Sequence, residues 1–516
     1  MKVYSLRSYE EALSEAGLLA ASRILDDTLA IEHITYGSKD ARPFTLFACK
    51  GAAFRAAYLD EAIERGACAY VSERAYDTAR PTSCLLVNDI RRAMALIADL
   101  HYDKAYDKLI LTGITGTKGK STTAYYIKFI LDEYLQEIGE RPSGIVSSID
   151  TYDGAGLTPS RLTTPEAFEL HRHFDNAVQA GLRFFTMEVS SQALKYHRTL
   201  GVEFDTAVFL NISEDHISAN EHSDFEDYFS SKLQIFGQAR RAVVNLGTDR
   251  LPRVLEAAKA AGSLTTFGLR EGADVQGFDI RKEGHETRFR VKCRDFDEEF
   301  ALTMPGLFNV ENALAAITVC RGFGIPVHAM RAGLRKARSR GRMEIFTSAD
   351  GSRAVIVDFA HNKMSFESLF RSVLAEYPGR RIVTVFGCPG DRAVNRRQEL
   401  GELAGRWSDK VYLTADDPGF ESVADISAQI AAHVGGTECV QIEDRVTAIG
   451  EAIADAGPNS VVLILGKGSE AYQKVGSQYL PYEPDSHWAQ ELLRAVGQSD
   501  RAGALPHRNG PLGKIN

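Results

Sequence analysis

The stretch Gly113-Ile-Thr-Gly-Thr-Lys-Gly-Lys-Ser-Thr-Thr123 decides how this chain reads. The apolar run Lys108-Leu-Ile-Leu-Thr112 before it predicts a strand. After it, Ala124, Ile127, Leu131 and Tyr134 share one face of a predicted helix. Strand, glycine-rich loop, Lys-Ser and helix together suit a nucleoside triphosphate. Glycines let backbone N–H groups close around phosphate oxygens, and the helix N-terminus adds partial positive charge. Lys120 is expected to reach the β- and γ-phosphates and Ser121 a magnesium ion, with Gly116, Thr117, Lys118, Gly119 and Thr122 around the phosphates. A strict phosphate loop has glycine at position 114, where this chain has Ile114. Its glycines fall at Gly113, Gly116 and Gly119 instead.

Bulk composition narrows the remaining classes. A chain of 516 residues exceeds one core and predicts two to four domains. With 44% hydrophobic and 25% charged residues it has the balance of an ordinary soluble protein. The formal charge of −9 argues against wholesale binding to nucleic acid or an anionic membrane, so phosphate recognition has to be local. The opening residues lack the apolar core of a signal peptide, and no apolar run approaches the roughly 20 residues that span a bilayer. Seven scattered cysteines without a Cys-x-x-Cys pair predict reduced thiols in a cytoplasmic protein, with neither a disulfide frame nor a zinc site.

Hydrophobic patterning divides the chain into α/β units. Residues 1–105 alternate short strands (45–48, 69–71, 84–87) with helices (58–65, 91–100). Residues 106–340 carry the phosphate loop, further strands at 184–188, 206–211 and 242–245, an antiparallel meander at about 265–300 and a helical stretch at 309–338. Residues 341–498 hold four continuous apolar strands (355–358, 382–386, 411–414, 461–465), the mark of a parallel sheet buried on both faces. Ligands of such sheets sit beyond the strands' carboxyl ends, where this chain places His361, Asp391, Asp416 and Lys467. Residues 499–516, rich in Gly, Pro and polar groups, read as a loose tail.

Two further residues adjoin the expected phosphate site. Glu188 ends a strand in Met-Glu-Val-Ser-Ser, and His216 follows another. A carboxylate suits magnesium, which prefers oxygen ligands; a histidine there needs an independent reason.

Several stretches together supply one, because they resemble the Mur ligases, ATP-dependent enzymes that extend the peptide stem of peptidoglycan precursors. They are Gly116–Thr123, Leu162-Thr-Thr-Pro165, Met187-Glu-Val-Ser-Ser191, His197-Arg198, Asp215-His216, Tyr228-Phe-Ser-Ser-Lys232, Asn309-Val-Glu-Asn312, Asp358-Phe-Ala-His-Asn362 and Gly466-Lys-Gly-Ser-Glu470. They fall in register over nearly the whole chain, with Tyr36-Gly-Ser-Lys and Leu46-Phe-Ala-Cys-Lys-Gly51 near the start. The resemblance is to the MurE type, which adds the third stem residue. It implies three domains: an N-terminal uridine-nucleotide domain, a central P-loop ATPase-like domain and a C-terminal Rossmann-like domain.

By that resemblance Tyr36, Ser38, the Lys50–Phe54 loop, Thr163, Thr164, Ser190, Tyr196 and Arg198 match positions that hold the UDP-muramoyl-dipeptide. Lys120, Ser121, Glu188 and His216 match nucleotide and magnesium positions. Asn312, Arg342, Asp358, His361 and Asn362 match the surroundings of the adenine, ribose and γ-phosphate. Lys232 matches a lysine that family members carbamylate, which turns a cation into an oxygen ligand for magnesium.

Choice of amino acid rests on Asp416-Asp417-Pro418-Gly419. Relatives that add meso-diaminopimelate carry Asp-Asn-Pro-Arg, whose arginine reads the second carboxylate. Here Gly419 cannot supply that charge and Asp417 adds a negative one, which suits lysine or ornithine. Arg397, Gly466 and Glu470 match positions around the amino acid's α-carboxylate and amine. The implied reaction is ATP-dependent formation of an acyl phosphate followed by amine attack, in a chain expected to be a monomer. Its sites fall in different domains, so closure is expected to precede chemistry. Two rivals are a folylpolyglutamate synthase, which lacks the uridine stretch and Leu-Thr-Thr-Pro, and a non-catalytic nucleotide-binding partner of a cell-wall complex. The latter would be expected to have lost Lys120, Glu188 or Lys232, and all three are present.

Overall fold

The computed structural model describes residues 2–51, 54–213, 222–284, 286–304, 306, 308–391 and 393–502, the side chains of 497–502 excepted. It separates into two compact units. One comprises Met1–Ile280, Phe289–Ala301 and Glu311–Lys336; the other comprises Arg281–Arg288, Leu302–Val310 and Ala337–Asn516.

The first unit contains the two sheets expected of residues 1–105 and of the central region. The N-terminal sheet orders its strands Leu19–Arg23, Ser83–Val87, Ala67–Ser72, Thr45–Ala48 and His33–Thr35, all pairs parallel but the first. A helix at Leu6–Glu15 and the strand Leu19–Arg23 were not legible in the sequence. Phe168, from the central helix Ala167–Gln179, is buried among Ile90, Ala93, Met94 and Ile97 of the N-terminal part, so one core spans both.

The central sheet places Ile110–Thr115 between Phe184–Glu188 and Thr206–Phe209, both parallel to it. Glu188 lies opposite Ile114 and Phe209 opposite Thr115, so three strand ends meet at the phosphate loop. Gly113 is the small residue that this packing needs, since a Cβ there would press on the Phe204 ring at 2.8 Å. The following helix, Lys120–Glu137, buries Ala124, Ile127 and Leu131 as expected. Leu135 is buried in place of Tyr134, which is half-buried.

Three expectations need correction. The strand Ser263–Gly268 is parallel to both neighbours, so the meander expected at 265–300 narrows to the consecutive neighbouring strands Val275–Glu283, Glu286–Lys292 and Asp297–Leu302. The helical stretch at 309–338 is two helices, Phe308–Gly322 and Val327–Lys336, parted by Gly324 at φ 76° and by Pro326. The last helix runs Asp485–Ala502, past the boundary expected at 498; residues 503–516 lie outside the described ones.

In the second unit the strands Arg353–Asp358, Ser460–Leu465, Arg381–Phe386, Lys410–Leu413 and Glu438–Gln441 pair in parallel, with Glu344–Thr347 antiparallel at the edge. Val461–Leu465 is fully buried, which is why that run carries no polar residue.

His171 of the helix Ala167–Gln179 sits edge-on to Tyr106 and Phe174, and neither ring nitrogen has a hydrogen-bond partner. Burial lowers its pKa from 6.5 to about 3. The unfolded chain therefore takes up a proton that the folded one refuses. Stability is complete above about pH 6.5 and is lost as pH falls towards 3. His171→Phe is expected to lose about 1–2 kcal/mol less than wild type between pH 7.5 and 5. Urea unfolding of both proteins at the two pH values checks this, and parallel losses would show that His171 does not contribute.

Candidate active site

The phosphate loop is held from outside itself. Thr117 N–H donates to the Asn211 carbonyl (3.1 Å) and Lys118 N–H to Asn211 Oδ1 (2.9 Å), while Asn211 Nδ2 donates back to the Lys118 carbonyl (3.1 Å). Gly119 takes φ 85° and opens the helix, and any Cβ on it would collide with Asn312 Oδ1. Asn312 is therefore packed on the phosphate loop. Lys120 Nζ donates to the carbonyls of Gly116 (2.9 Å) and Thr117 (3.3 Å), folded back over the loop.

Beside the loop, Ser121 Oγ lies 3.1 Å from Ser148 Oγ. Ser148 in turn donates to Glu188 Oε1 from its N–H (2.8 Å) and its hydroxyl (3.0 Å). Glu188 is 1% exposed, and its second oxygen, Oε2, is buried without a hydrogen-bond partner. A buried carboxylate oxygen in that state is costly, and a hard divalent cation beside the Ser121 hydroxyl would satisfy it. The donor set thus fits magnesium. Lys232, on the helix Phe225–Leu233, is 2% exposed; its Nζ donates to the Gly116 carbonyl (3.0 Å) and lies 4.6 Å from the Tyr228 ring centre. His216 lies outside the described residues.

The residues expected to bind the muramoyl-dipeptide converge on the same strand end. Thr164 Oγ1 donates to the Glu188 carbonyl (2.9 Å) and accepts from Ser190 N–H (3.0 Å); Arg198 Nη1 donates to the Thr164 carbonyl (3.0 Å). Ser190 also caps the helix Ser191–Lys195, and Thr163 is half-buried beside this group. Glu166, unforeseen in the sequence, bridges Lys50 Nζ (2.8 Å) and Arg198 Nη2 (2.9 Å). Burial works to raise its pKa, but Arg198 and Lys50 outweigh that and hold the carboxyl below its usual value.

Lys50 also lies over the Tyr36 ring (4.6 Å), and Arg91 over the Tyr196 ring (4.3 Å). Arg91 Nη1 and Arg198 Nε are buried with no hydrogen-bond partner, so this pocket retains donors for an anion. Arg91, like Ser148 and Asn211, was missed because nothing in its local sequence marks it. Ser38 stands apart, its hydroxyl donating to Glu61 (2.6 Å). In the Lys50–Phe54 loop, residues 52 and 53 lie outside the described ones.

In the second unit, Asp358 accepts from Met343 N–H (2.8 Å) and Ala360 N–H (2.7 Å), which ties the 341–343 turn to its strand end. Arg342 lies over the Phe359 ring (4.4 Å), His361 Nδ1 contacts the Phe359 carbonyl (2.7 Å), and Asn362 caps the helix Lys363–Glu376. These four residues form one cluster.

A second cluster surrounds Asp416 and Asp417, which are 7% and 6% exposed. Oxygens of Asp416, Asp417 and Glu470 all lie within 4.8 Å of one another. Burial raises the pKa of Asp416 and of Glu470. Pro418 and Gly419 follow, Gly419 at φ 59°, where any Cβ would collide with Asp391 Oδ2. An arginine at 419 would therefore need Asp391 to move and a strained backbone. Gly466, at φ 111°, lets Asp416 approach, since a Cβ there would lie 2.6 Å from Asp416 Oδ2.

Arg397 meets protein partners in this structure. It is 3% exposed and donates through both Nη atoms to Glu421 (2.9 and 2.8 Å) and through Nη1 to Gln429 (2.8 Å). Arg397 thereby fixes Glu421, which accepts from Asp391 N–H (2.6 Å), while Arg397 Nε is buried without a hydrogen-bond partner.

All seven cysteines are free thiols, and among the described residues no helix is long and apolar enough to cross a membrane.

Residues 114–320 match the Mur ligase middle domain and residues 341–468 the Mur ligase glutamate ligase domain. The chain belongs to the Mur ligase family. Within that family it is 37% identical to a UDP-N-acetylmuramyl-tripeptide synthetase of Lactobacillus delbrueckii subsp. bulgaricus, over 94% of this chain and 98% of the relative. It is 35% identical to the UDP-N-acetylmuramoyl-L-alanyl-D-glutamate–L-lysine ligase of Enterococcus faecalis (91% and 93% covered). It is 37% identical to a 2,6-diaminopimelate ligase of Caldanaerobacter subterraneus subsp. tengcongensis (88% and 93% covered). A solved diaminopimelate ligase shares the fold at a TM-score of 0.64 and 21% identity, covering 97% of this chain and 100% of its own.

Proposed function

We propose that this chain is an ATP-dependent ligase of the cytoplasm that adds L-lysine to UDP-N-acetylmuramoyl-L-alanyl-D-glutamate in peptidoglycan synthesis. The observation that carries the reading is the unbroken run Ser121, Ser148, Glu188, Thr164, Arg198, which joins phosphate-loop residues to residues suited to an anionic acceptor. An acceptor carboxylate bound at Thr164 and Arg198 would lie on the strand end that carries Glu188.

The γ-phosphoryl group passes from ATP to the γ-carboxylate of the D-glutamyl residue, giving an acyl phosphate and ADP. Lys120 exchanges the carbonyls of Gly116 and Thr117 for phosphoryl oxygens as their charge grows. The neutral α-amine then attacks the acyl carbon, loses its proton, and phosphate leaves. Ser121, Glu188 and Lys232 as its carbamate would hold magnesium, which supplies positive charge to the phosphoryl oxygens; the family resemblance adds His216. Carbamylation joins Lys232 Nζ to the carbon of carbon dioxide, the ammonium losing two protons in all: one to become a nucleophile and one as the N–C bond forms.

The test is phosphate release that depends jointly on the UDP-muramoyl-dipeptide and an amino acid; release without either would refute a ligase. The same assay reads selectivity. Two unit charges about 4 Å apart interact by about 4 kcal/mol at an effective dielectric near 20. Half of that repulsion, directed at a second carboxylate, gives L-lysine an advantage of about 30-fold in kcat/KM over meso-diaminopimelate. L-Ornithine is expected to fall between them. A wild type that prefers diaminopimelate would show that Asp416 and Asp417 do not read the side chain.

A further inference from the structure

Lys467 has no role in the reading above, yet it lies at the centre of the acidic cluster. Its side chain is wholly buried. Its Nζ lies 2.9 Å from Asp417 Oδ1, 3.0 Å from Glu470 Oε2 and 3.9 Å from Asp416 Oδ1. It also lies 5.2 Å from the Tyr472 ring centre. The backbone is shaped to put it there. Gly466 and Gly468 take φ 111° and 55°, so the Gly-Lys-Gly turn folds the lysine beneath the loop that carries Glu470.

The three carboxylates are not equivalent. Asp416 and Asp417 side chains are 9% and 7% exposed, while Glu470 is 25% exposed. Asp417 Oδ1 is further committed to Lys474 N–H (3.0 Å). Glu470 Oε1 accepts a long bond from the Tyr472 hydroxyl (3.3 Å). The carboxylate most open to a ligand is therefore Glu470, and the cation that holds it is more deeply buried than it is.

Without that cation, three carboxylates with oxygens within 4.8 Å of one another would repel, and would separate or take up a proton. Either outcome spoils a site meant to receive an ammonium group. We propose that Lys467 is a positioning residue of the amino-acid site, a built-in counter-cation that draws Asp417 and Glu470 together and leaves Glu470 aimed at an amine of the incoming diamino acid. This rests on the reading of the 416–419 and 466–470 loops as the amino-acid site.

The test compares Lys467→Met, which keeps the length and removes the charge, with Lys467→Ala, Lys467→Arg and Glu470→Gln in the phosphate-release assay. Lys467→Met is expected to raise KM for L-lysine by at least about 30-fold, with KM for ATP and for the UDP-muramoyl-dipeptide within threefold of wild type. Ethylammonium added to Lys467→Ala is expected to restore part of the lost lysine affinity by filling the vacated space with a cation. If Lys467→Met does not fold, Lys467→Arg decides, because it keeps the charge and displaces it: a KM rise confined to the amino acid supports the proposal. Wild-type KM for L-lysine in Lys467→Met, or equal losses for all three substrates, overturns it. Glu470→Gln separates the two readings. If it leaves KM for L-lysine unchanged, the amino-acid site itself is misassigned; if it raises KM while the Lys467 variants do not, only the role of Lys467 falls.

Discussion

Lys120→Ala is expected to lower kcat for phosphate release by about 100- to 1,000-fold, the usual cost of removing one group that stabilises developing charge. The fold should survive. Lys120 is the first residue of a helix whose core contacts come from Ala124, Ile127, Ile130 and Leu131, and its own ammonium donates to two loop carbonyls. Steady-state kinetics together with a thermal melt make the check. Ligation at near wild-type rate by a folded variant would mean that the loop does not hold the transferred phosphoryl group.

Lys232→Ala is expected to be nearly inactive, again by about 100-fold or more, and to recover in part when acetate or formate is added. The lysine is 2% exposed and lies against the Gly116 carbonyl, so truncating it leaves a small space beside the phosphate loop that a short carboxylate can enter. Rescue by carboxylates but not by alkylammonium ions distinguishes a carbamate from an ordinary lysine. Full activity in the alanine variant, or an intact mass without the added carbon dioxide together with rescue by amines, would sink the assignment. The two buried lysines, Lys232 and Lys467, are expected to respond to opposite kinds of small molecule.

Much of the site was legible because its parts are local. Gly119-Lys120-Ser121 can be read from eleven residues, since backbone N–H groups and a helix end make the phosphate site and need no distant partner. The continuous apolar runs 461–465 and 382–386 declared a buried parallel sheet for a similar reason: strands covered on both faces have no polar period to hide. Asn211, Ser148, Glu166 and Arg91 were not legible. Each acts through a partner at least about 30 residues away, as Ser148 does on Glu188, Asn211 on the phosphate loop and Glu166 on Lys50 and Arg198. A Ser, Asn or Glu in a loop has the same local signature whether it clamps a site or faces water.

At two positions the structure adds a constraint that charge read from sequence does not contain. The family resemblance sets Arg397 at the amino acid's α-carboxylate, and in this structure both its Nη atoms donate to Glu421. Gly419 reads as a position where arginine is merely missing. The chain there adopts a left-handed conformation with Asp391 packed against it, so its neighbours would have to change with it.

What the sequence determined by itself was the kind of element at each place and the chemistry that element could carry: a phosphate loop after Thr115, a carboxylate at the end of 184–188, acidic residues after 410–413. Short-range sterics and hydrophobic period decide these, and both act within a few residues. Only the tertiary structure decided which charges are spent on the protein and which remain for a ligand. Glu188 keeps an unanswered oxygen, Glu166 is shared between two cations, and Lys467 lies buried among three carboxylates. Burial makes the difference. The cost of an unpaired charge rises steeply once water is excluded, and which groups lose water is settled by chain crossings that no local pattern records.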